Sequence, residues 1–265
     1  MLHPAKIIPL FLLGLFVYWH TLESFKAFLQ VAFPKAHLNF ILPRYLHSDY
    51  RQYLPELFPF YNKLNPKEKR LFERRMQFFI HSKRFYPRGG LTEIPNKILA
   101  KIAGTAVMLT YGYPDVFLVR FHSVLVYPDD YYSKITKKYH RGHVDGRGII
   151  CLSIKALNEG FKNQNDGVNL AIHEMAHAIR LENAIRNQDH GFIPVEDLAA
   201  FDRLALAEIR SMKSGNPSFF RSYAKTNRQE FFAVVLENYF ERGEAFRKAH
   251  PELFLAVSKI LRIPV

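Results

Sequence analysis

The run Ile172-His173-Glu174-Met175-Ala176-His177 constrains this chain more than any other stretch, because it sets two histidines four residues apart inside a helical pattern. Residues at that spacing on an α-helix lie roughly 40° apart around the axis, so both imidazoles leave one face and can share a metal ion. Glu174 stands on the adjacent flank, where a carboxylate can take a proton from a metal-bound water. The helix expected to carry them runs from about Val168 to Ala184, with Val168, Leu170, Ala171, Met175, Ala178, Ile179 and Leu181 as its apolar surface. An apolar strand over residues 147–154 and a loop over residues 163–167, with Asp166 as the helix cap, precede it. A His and a Glu within so apolar a helix need polar partners, and a metal would be one. The bland alternative is an amphipathic helix with two surface histidines.

A zinc site that performs chemistry has three protein ligands and one open position for water. The metzincin pattern would put Gly at position 180 and His at position 183, where this chain has Arg180 and Asn183, so that class is excluded. Thermolysin-like spacing points to Glu196 or Asp197. The remaining candidate is Glu230, third after an expected Asn227 cap, where a capping-box role competes with ligation.

His173-Glu174-x-Ala176-His177, together with Tyr223-Ala224 and Glu230-Phe231-Phe232-Ala233-Val234, resembles the Mlc titration factor A family of zinc peptidases. Val124-Leu125-Val126-Tyr127-Pro128 and His250-Pro251-Glu252-Leu253-Phe254 extend the likeness over about residues 60–260. The resemblance implies His173, His177 and Glu230 as ligands of Zn²⁺, Glu174 as general base and Tyr223 as a hydroxyl donor to the tetrahedral oxyanion. It also implies a peptide or protein substrate. The alternative it carries is a regulatory protein that binds a transcription repressor or another protein partner, with weak or no proteolysis. Taken residue by residue, Tyr223 is one of fourteen tyrosines and has core packing as its competing role. Glu237, two turns beyond Glu230, reads as a solvent-exposed carboxylate in preference to a partner that orients a His ring. The family carries Lys-Leu-Asp after the second His; here Ala178-Ile179-Arg180 inverts a charge, with Glu182 and Asp189 as compensating candidates.

The rest of the chain reads as a helix-rich α+β protein: a zincin-like metallopeptidase domain with a small sheet and a hydrophobic N-terminal helix. Residues 1–58 form a hydrophobic, basic N-terminal segment and residues 59–265 the zinc peptidase domain. Helices are predicted over 66–82, 95–110, 195–213, 227–242 and 251–261, punctuated by Gly215-Asn216-Pro217 and Gly243, and strands over 117–127 and 149–154. In the first helix Leu71, Phe72, Phe78, Phe79 and Ile80 point inward and the basic residues outward. The lone Cys151, read as a buried thiol, excludes a disulfide framework and a Cys-based zinc site.

Ile7 to Trp19 is an uncharged run of thirteen residues after Lys6, shorter than a standard span of about 20. With no cleavage site close behind, it is read as an uncleaved membrane anchor, a packed amphipathic helix being the alternative. Lys26, Lys35, Arg44 and Arg51 on its far side then leave the catalytic domain in the cytoplasm, anchored to the inner membrane. The net charge of +13 is concentrated early, with fifteen Lys/Arg against six Asp/Glu in the first hundred residues. No nucleic-acid module accompanies that charge, so nucleic acid is not an expected partner, and a basic helix face near anionic headgroups explains it.

Overall fold

The apolar pattern around the two histidines becomes a helix over Leu170–Arg186, and Ala171, Ile172, Met175, Ala176, Ala178 and Ile179 bury its core face. Asn169, not Asp166, closes its start: the Asn169 Oδ1 accepts from the amides of Ala171 (3.0 Å) and Ile172 (3.3 Å). Asp166 instead accepts from Val168 N at 2.9 Å, and the left-handed Gly167 (φ 72°) then delays the helix, leaving Val168 exposed. In this computed structural model the described residues are 43–263 apart from 44, 117, 134–136 and 187–190. They lie in one compact unit, Pro43–Val265; the predicted hydrophobic helix around Ile7–Trp19 falls outside the described residues. No helix among the described residues is long and apolar enough to cross a membrane.

Three short helices, α1 (Ser48–Arg51), α2 (Leu54–Leu57) and α3 (Pro59–Asn62), lead into α4 (Pro66–Ser82). Leu46, Leu54, Leu57 and Phe58 join the same core as the residues that follow. A capping box fixes the start of α4: Asn65 accepts from Lys67 N and Glu68 N, and Glu68 Oε2 accepts from Asn65 N at 2.8 Å. Phe72, Met76, Phe79 and Ile80 face α5 (Asn96–Leu109).

One basic residue of α4 does not point outward. Arg75 is 1 % exposed, and its guanidinium donates to Thr110 Oγ1 (2.8 Å) and to the carbonyls of Tyr111 (3.3 Å), Tyr113 (3.1 Å) and Val116 (3.0 Å). These carbonyls follow the end of α5, where the backbone turns and acceptors are left without helical partners. Burial pushes the Arg75 pKa down to about 10, which still leaves it charged at neutral pH.

The sheet has the order β1 (Arg84–Pro87), β2 (Ser123–Tyr127), β6 (Ile149–Ser153), β5 (Gly142–Asp145). β1–β2 and β2–β6 are parallel; β5 runs antiparallel to β6 and forms one edge. Val124 pairs with Ile150 and Val126 with Leu152, and all four are buried, so alternate residues supply the core face. The strand predicted over 117–127 shrinks to five residues, because Leu118 takes a left-handed φ of 49° and its carbonyl accepts from Phe121 N in a turn. Cys151, on β6, is half-buried. β3 (Tyr131–Ser133) and β4 (Lys138–His140) form a separate antiparallel pair.

Ser153 caps α6 (Ile154–Lys162), after which comes α7, the histidine helix. The C-terminal half adds α8 (Val195–Lys213), a short 3₁₀ turn over Ser222–Lys225, α9 (Arg228–Glu241), α10 (Gly243–Ala249) and α11 (Pro251–Leu261). Residues Phe231 to Leu236 of α9 are fully buried, and α9 packs directly on α7. Helices thus dominate a small mixed sheet, as the α+β pattern predicts.

Arg75→Leu, which removes the donors to four backbone and hydroxyl oxygens, should lower the unfolding free energy by roughly 3 kcal/mol in urea titration. A loss under about 1 kcal/mol would show that those oxygens are satisfied without it.

Candidate metal centre

Glu230 reaches the histidines because α9 begins where it crosses α7. Asn227 caps α9 through its own side chain, Oδ1 accepting from Glu230 N at 2.9 Å, so the Glu230 carboxylate turns across to the imidazoles. Its Oε2 lies 3.0 Å from His173 Nε2 and 3.4 Å from His177 Nε2, and the two Nε2 atoms are 3.1 Å apart. A tetrahedral ion with ligand bonds of about 2.0–2.2 Å separates its ligand atoms by roughly 3.3–3.6 Å. The triangle is close to those edges, and two ring nitrogens so near one carboxylate oxygen form a natural seat for a divalent cation. Among the described residues no other group of three His, Cys, Asp or Glu side chains gathers in this way. Glu196 and Asp197, the thermolysin-spaced alternatives, sit in the first turn of α8 and are not part of the cluster.

The electrostatics favour positive charge at the triangle. Burial disfavours a charged His173, but the Glu230 and Glu237 carboxylates outweigh it and push its pKa up to about 9. Burial works against the Glu230 carboxylate as well, yet the two histidines hold it well below the usual carboxylate range. Glu174 is 5 % exposed, and burial lifts it to about 7 against the opposing pull of the histidines. Its carboxylate lies flat against Gly142 on the edge strand: a Cβ there would come within 2.5 Å of Oε1.

Glu237 departs from its sequence reading. It is 0 % exposed, because it follows six consecutive buried residues, more than a full turn, in a helix enclosed on every side at that point. Its Oε1 lies 2.7 Å from His173 Nδ1 and accepts from Arg221 at 2.8 Å; its Oε2 accepts from Asn169 N at 2.7 Å and from Arg221 at 2.8 Å. A carboxylate beside Nδ1 holds the proton there and turns the Nε2 lone pair toward the triangle. The signal was present in the sequence: a carboxylate seven residues past Glu230, behind an apolar run, must be paired if the run is buried. Arg221 carried no such signal.

Tyr223 is 49 % exposed at the cleft wall, its ring 5.9 Å from that of His173, so it is not a core tyrosine. Burial of its hydroxyl side and the nearby Glu230 carboxylate raise its pKa, keeping it a protonated donor. Arg221 immediately precedes the 3₁₀ turn that carries it, so the Glu237 ion pair also anchors Tyr223. Two openings of about 520 and 560 Å³ flank Glu174 and His173 on either side of Gly142. Arg180, whose charge called for a partner, pairs with Asp202 on α8 at 3.3 Å. Glu182 is instead buried and accepts from Arg120 N at 3.2 Å, while Asp189 falls outside the described residues.

Two histidines one turn apart on a buried helix, closed by a carboxylate from a later helix, define a metallopeptidase type of site. Residues 37–262 match the glucose-regulated metallo-peptidase M90 family, and the chain belongs to that family. Membership implies a metal cofactor and a peptide substrate. An uncharacterised protein of Synechocystis sp. is 24 % identical over 238 residues, covering 83 % of this chain and 85 % of its own. Mlc titration factor A of Escherichia fergusonii is 25 % identical over 213 residues, 74 % of this chain and 79 % of that protein. The same-named protein of Salmonella arizonae is 29 % identical over 151 residues, 51 % of this chain and 59 % of its own length.

Glu237→Gln should weaken metal retention by about 10- to 100-fold, read by competition with a chromogenic chelator. An unchanged affinity would mean that the His173 ring needs no carboxylate to hold it in place.

Proposed function

We propose that this protein is a zinc-dependent peptidase with a zincin-like catalytic domain, in which Glu174 is the general base. The observation that carries the reading is the triangle of His173, His177 and Glu230 with the buried Glu174 carboxylate beside it. The two imidazoles and one carboxylate would hold Zn²⁺, which when bound acidifies a water and polarises a carbonyl.

The chain's own residues do the rest. Glu174, lifted by burial to about 7, is poised near neutral pH to take a proton from the attacking water and return it to the leaving amine. Tyr223 donates its hydroxyl proton in a hydrogen bond to the carbonyl oxygen as negative charge develops there. β5 is an edge strand beside this centre, so it can present its free backbone groups to an extended peptide. Gly142, lacking a side chain, lets that strand approach Glu174 closely.

The name of two relatives, Mlc titration factor A, supports a second reading in which the chain binds a regulatory protein and cleaves poorly. Glu174 favours hydrolysis, since a pure binding surface has no use for a buried base at the metal cluster.

Cleavage of a peptide library by the wild type and by Glu174→Gln, with zinc measured in both, tests the proposal. The variant should keep its zinc and lose at least about 100-fold in kcat/KM. Equal turnover by the two proteins would sink the hydrolase reading. Glu230→Ala should lose zinc while Glu196→Ala keeps it, and the reverse result would overturn the ligand set.

A further inference from the structure

The cleft has a direction. Gly142, at the start of β5, lies against Glu174, while Gly146, just past its end, has Leu181 as its nearest neighbour, so β5 and α7 run the same way. A peptide pairing antiparallel to β5 therefore runs opposite to α7. Its residues before the scissile bond pass His177 toward Ala184, and those after it pass toward Leu170 and Val168.

The two ends differ in charge. Toward Leu170, Arg141 is paired with Glu159 and Arg221 with Glu237, which leaves the exposed Asp166 as the carboxylate without a cation at that end among the described residues. Toward Ala184 the lining includes His143, Val144, Arg180, Leu181 and Gln229, and among the described residues Arg180 is its lysine-or-arginine cation. The carboxylates of that half, Glu174 and Glu230, belong to the metal cluster.

Arg180 stands one turn beyond His177 on the same face of α7, about 4.5 Å further along the axis, or one to two residues of extended peptide. Its guanidinium lies over the buried Phe232 ring at 5.1 Å, which fixes its plane without supplying a hydrogen-bond acceptor. Its two terminal nitrogens both donate to one oxygen of Asp202, at 3.3 and 3.4 Å. The other oxygen of Asp202 lies 3.7 Å from Arg228. Two guanidinium groups thus share one carboxylate, and the trio of Arg180, Asp202 and Arg228 carries a net positive charge. A guanidinium has five N–H donors, so Arg180 retains donors for a planar anionic partner.

We propose that Arg180 selects peptides with an acidic side chain at one of the two positions preceding the scissile bond. The inference rests on the peptidase reading for the meaning of that position, but the charge recognition can be measured without turnover. Zinc-loaded Glu174→Gln is titrated, by fluorescence anisotropy, with three labelled peptides that differ only in Glu, Gln or Lys at two adjacent central positions. The Glu peptide should bind about tenfold more tightly than the Lys peptide. Adding Arg180→Gln, which can keep the contact with Asp202 and Phe232, should erase the difference, and Arg180→Glu should reverse it. Zinc content and melting temperature are read on each variant to establish that it is folded. In parallel, wild-type digestion of a peptide library is scored by mass spectrometry for Asp and Glu before each cut. Equal binding of the three peptides, or a preference that survives Arg180→Gln, overturns the proposal. Acidic preference in binding with no cleavage by the wild type supports the Arg180 subsite and overturns the peptidase reading instead.

Discussion

The Glu237 carboxylate is the contact on which the site depends. It lies at the crossing of α7 and α9 with no exposure to solvent, and each of its oxygens is shared between two groups. Through His173 Nδ1 it sets the orientation of one proposed ligand. Through Asn169 N it fixes the start of the helix that bears both histidines, and through Arg221 it fixes the turn that bears Tyr223. A buried charge is tolerable only when paired and fully hydrogen-bonded, and this one meets both conditions by tying three separate segments together. The arrangement of donors at the centre is therefore a property of the packed core and does not depend on a flexible loop.

Local signals in the sequence account for most of the helical framework. α4 starts at its capping box, α11 starts at Pro251 and ends before a left-handed Arg262, and α8 spans the predicted residues, because caps and breakers act within a few positions. The His-Glu-x-x-His pair was legible for the same reason, since its geometry is that of one helix turn. The sequence leaves Glu230 one of three candidates for the third ligand until its own motif is read together with the histidines, and its proximity to them depends on how α9 crosses α7.

What escaped the sequence depends on distant partners. Arg75 and Glu237 are charged residues in amphipathic-looking helices, where the default is a solvated face. Their partners lie 35 and 64 positions away in the chain, so even where the apolar run before Glu237 signals a paired carboxylate, no local pattern names the partner. Arg180 likewise looked as if it needed a neighbour on its own helix or the loop after it, but Asp202 approaches from α8. The shortened β2 reflects a backbone turn at Leu118 that an apolar run conceals.

The contact between Gly142 and Glu174 has an evolutionary consequence. The carboxylate occupies the space that any side chain at position 142 would claim, so the strand and the proposed base are locked into a shared volume. A single methyl group there would meet the Glu174 side chain before any residue of the His173, His177 and Glu230 cluster. On the proposed mechanism, one substitution on the strand would separate the base from the metal cluster. Descendants of such a chain could cross from chemistry to pure recognition without altering any residue of the metal cluster.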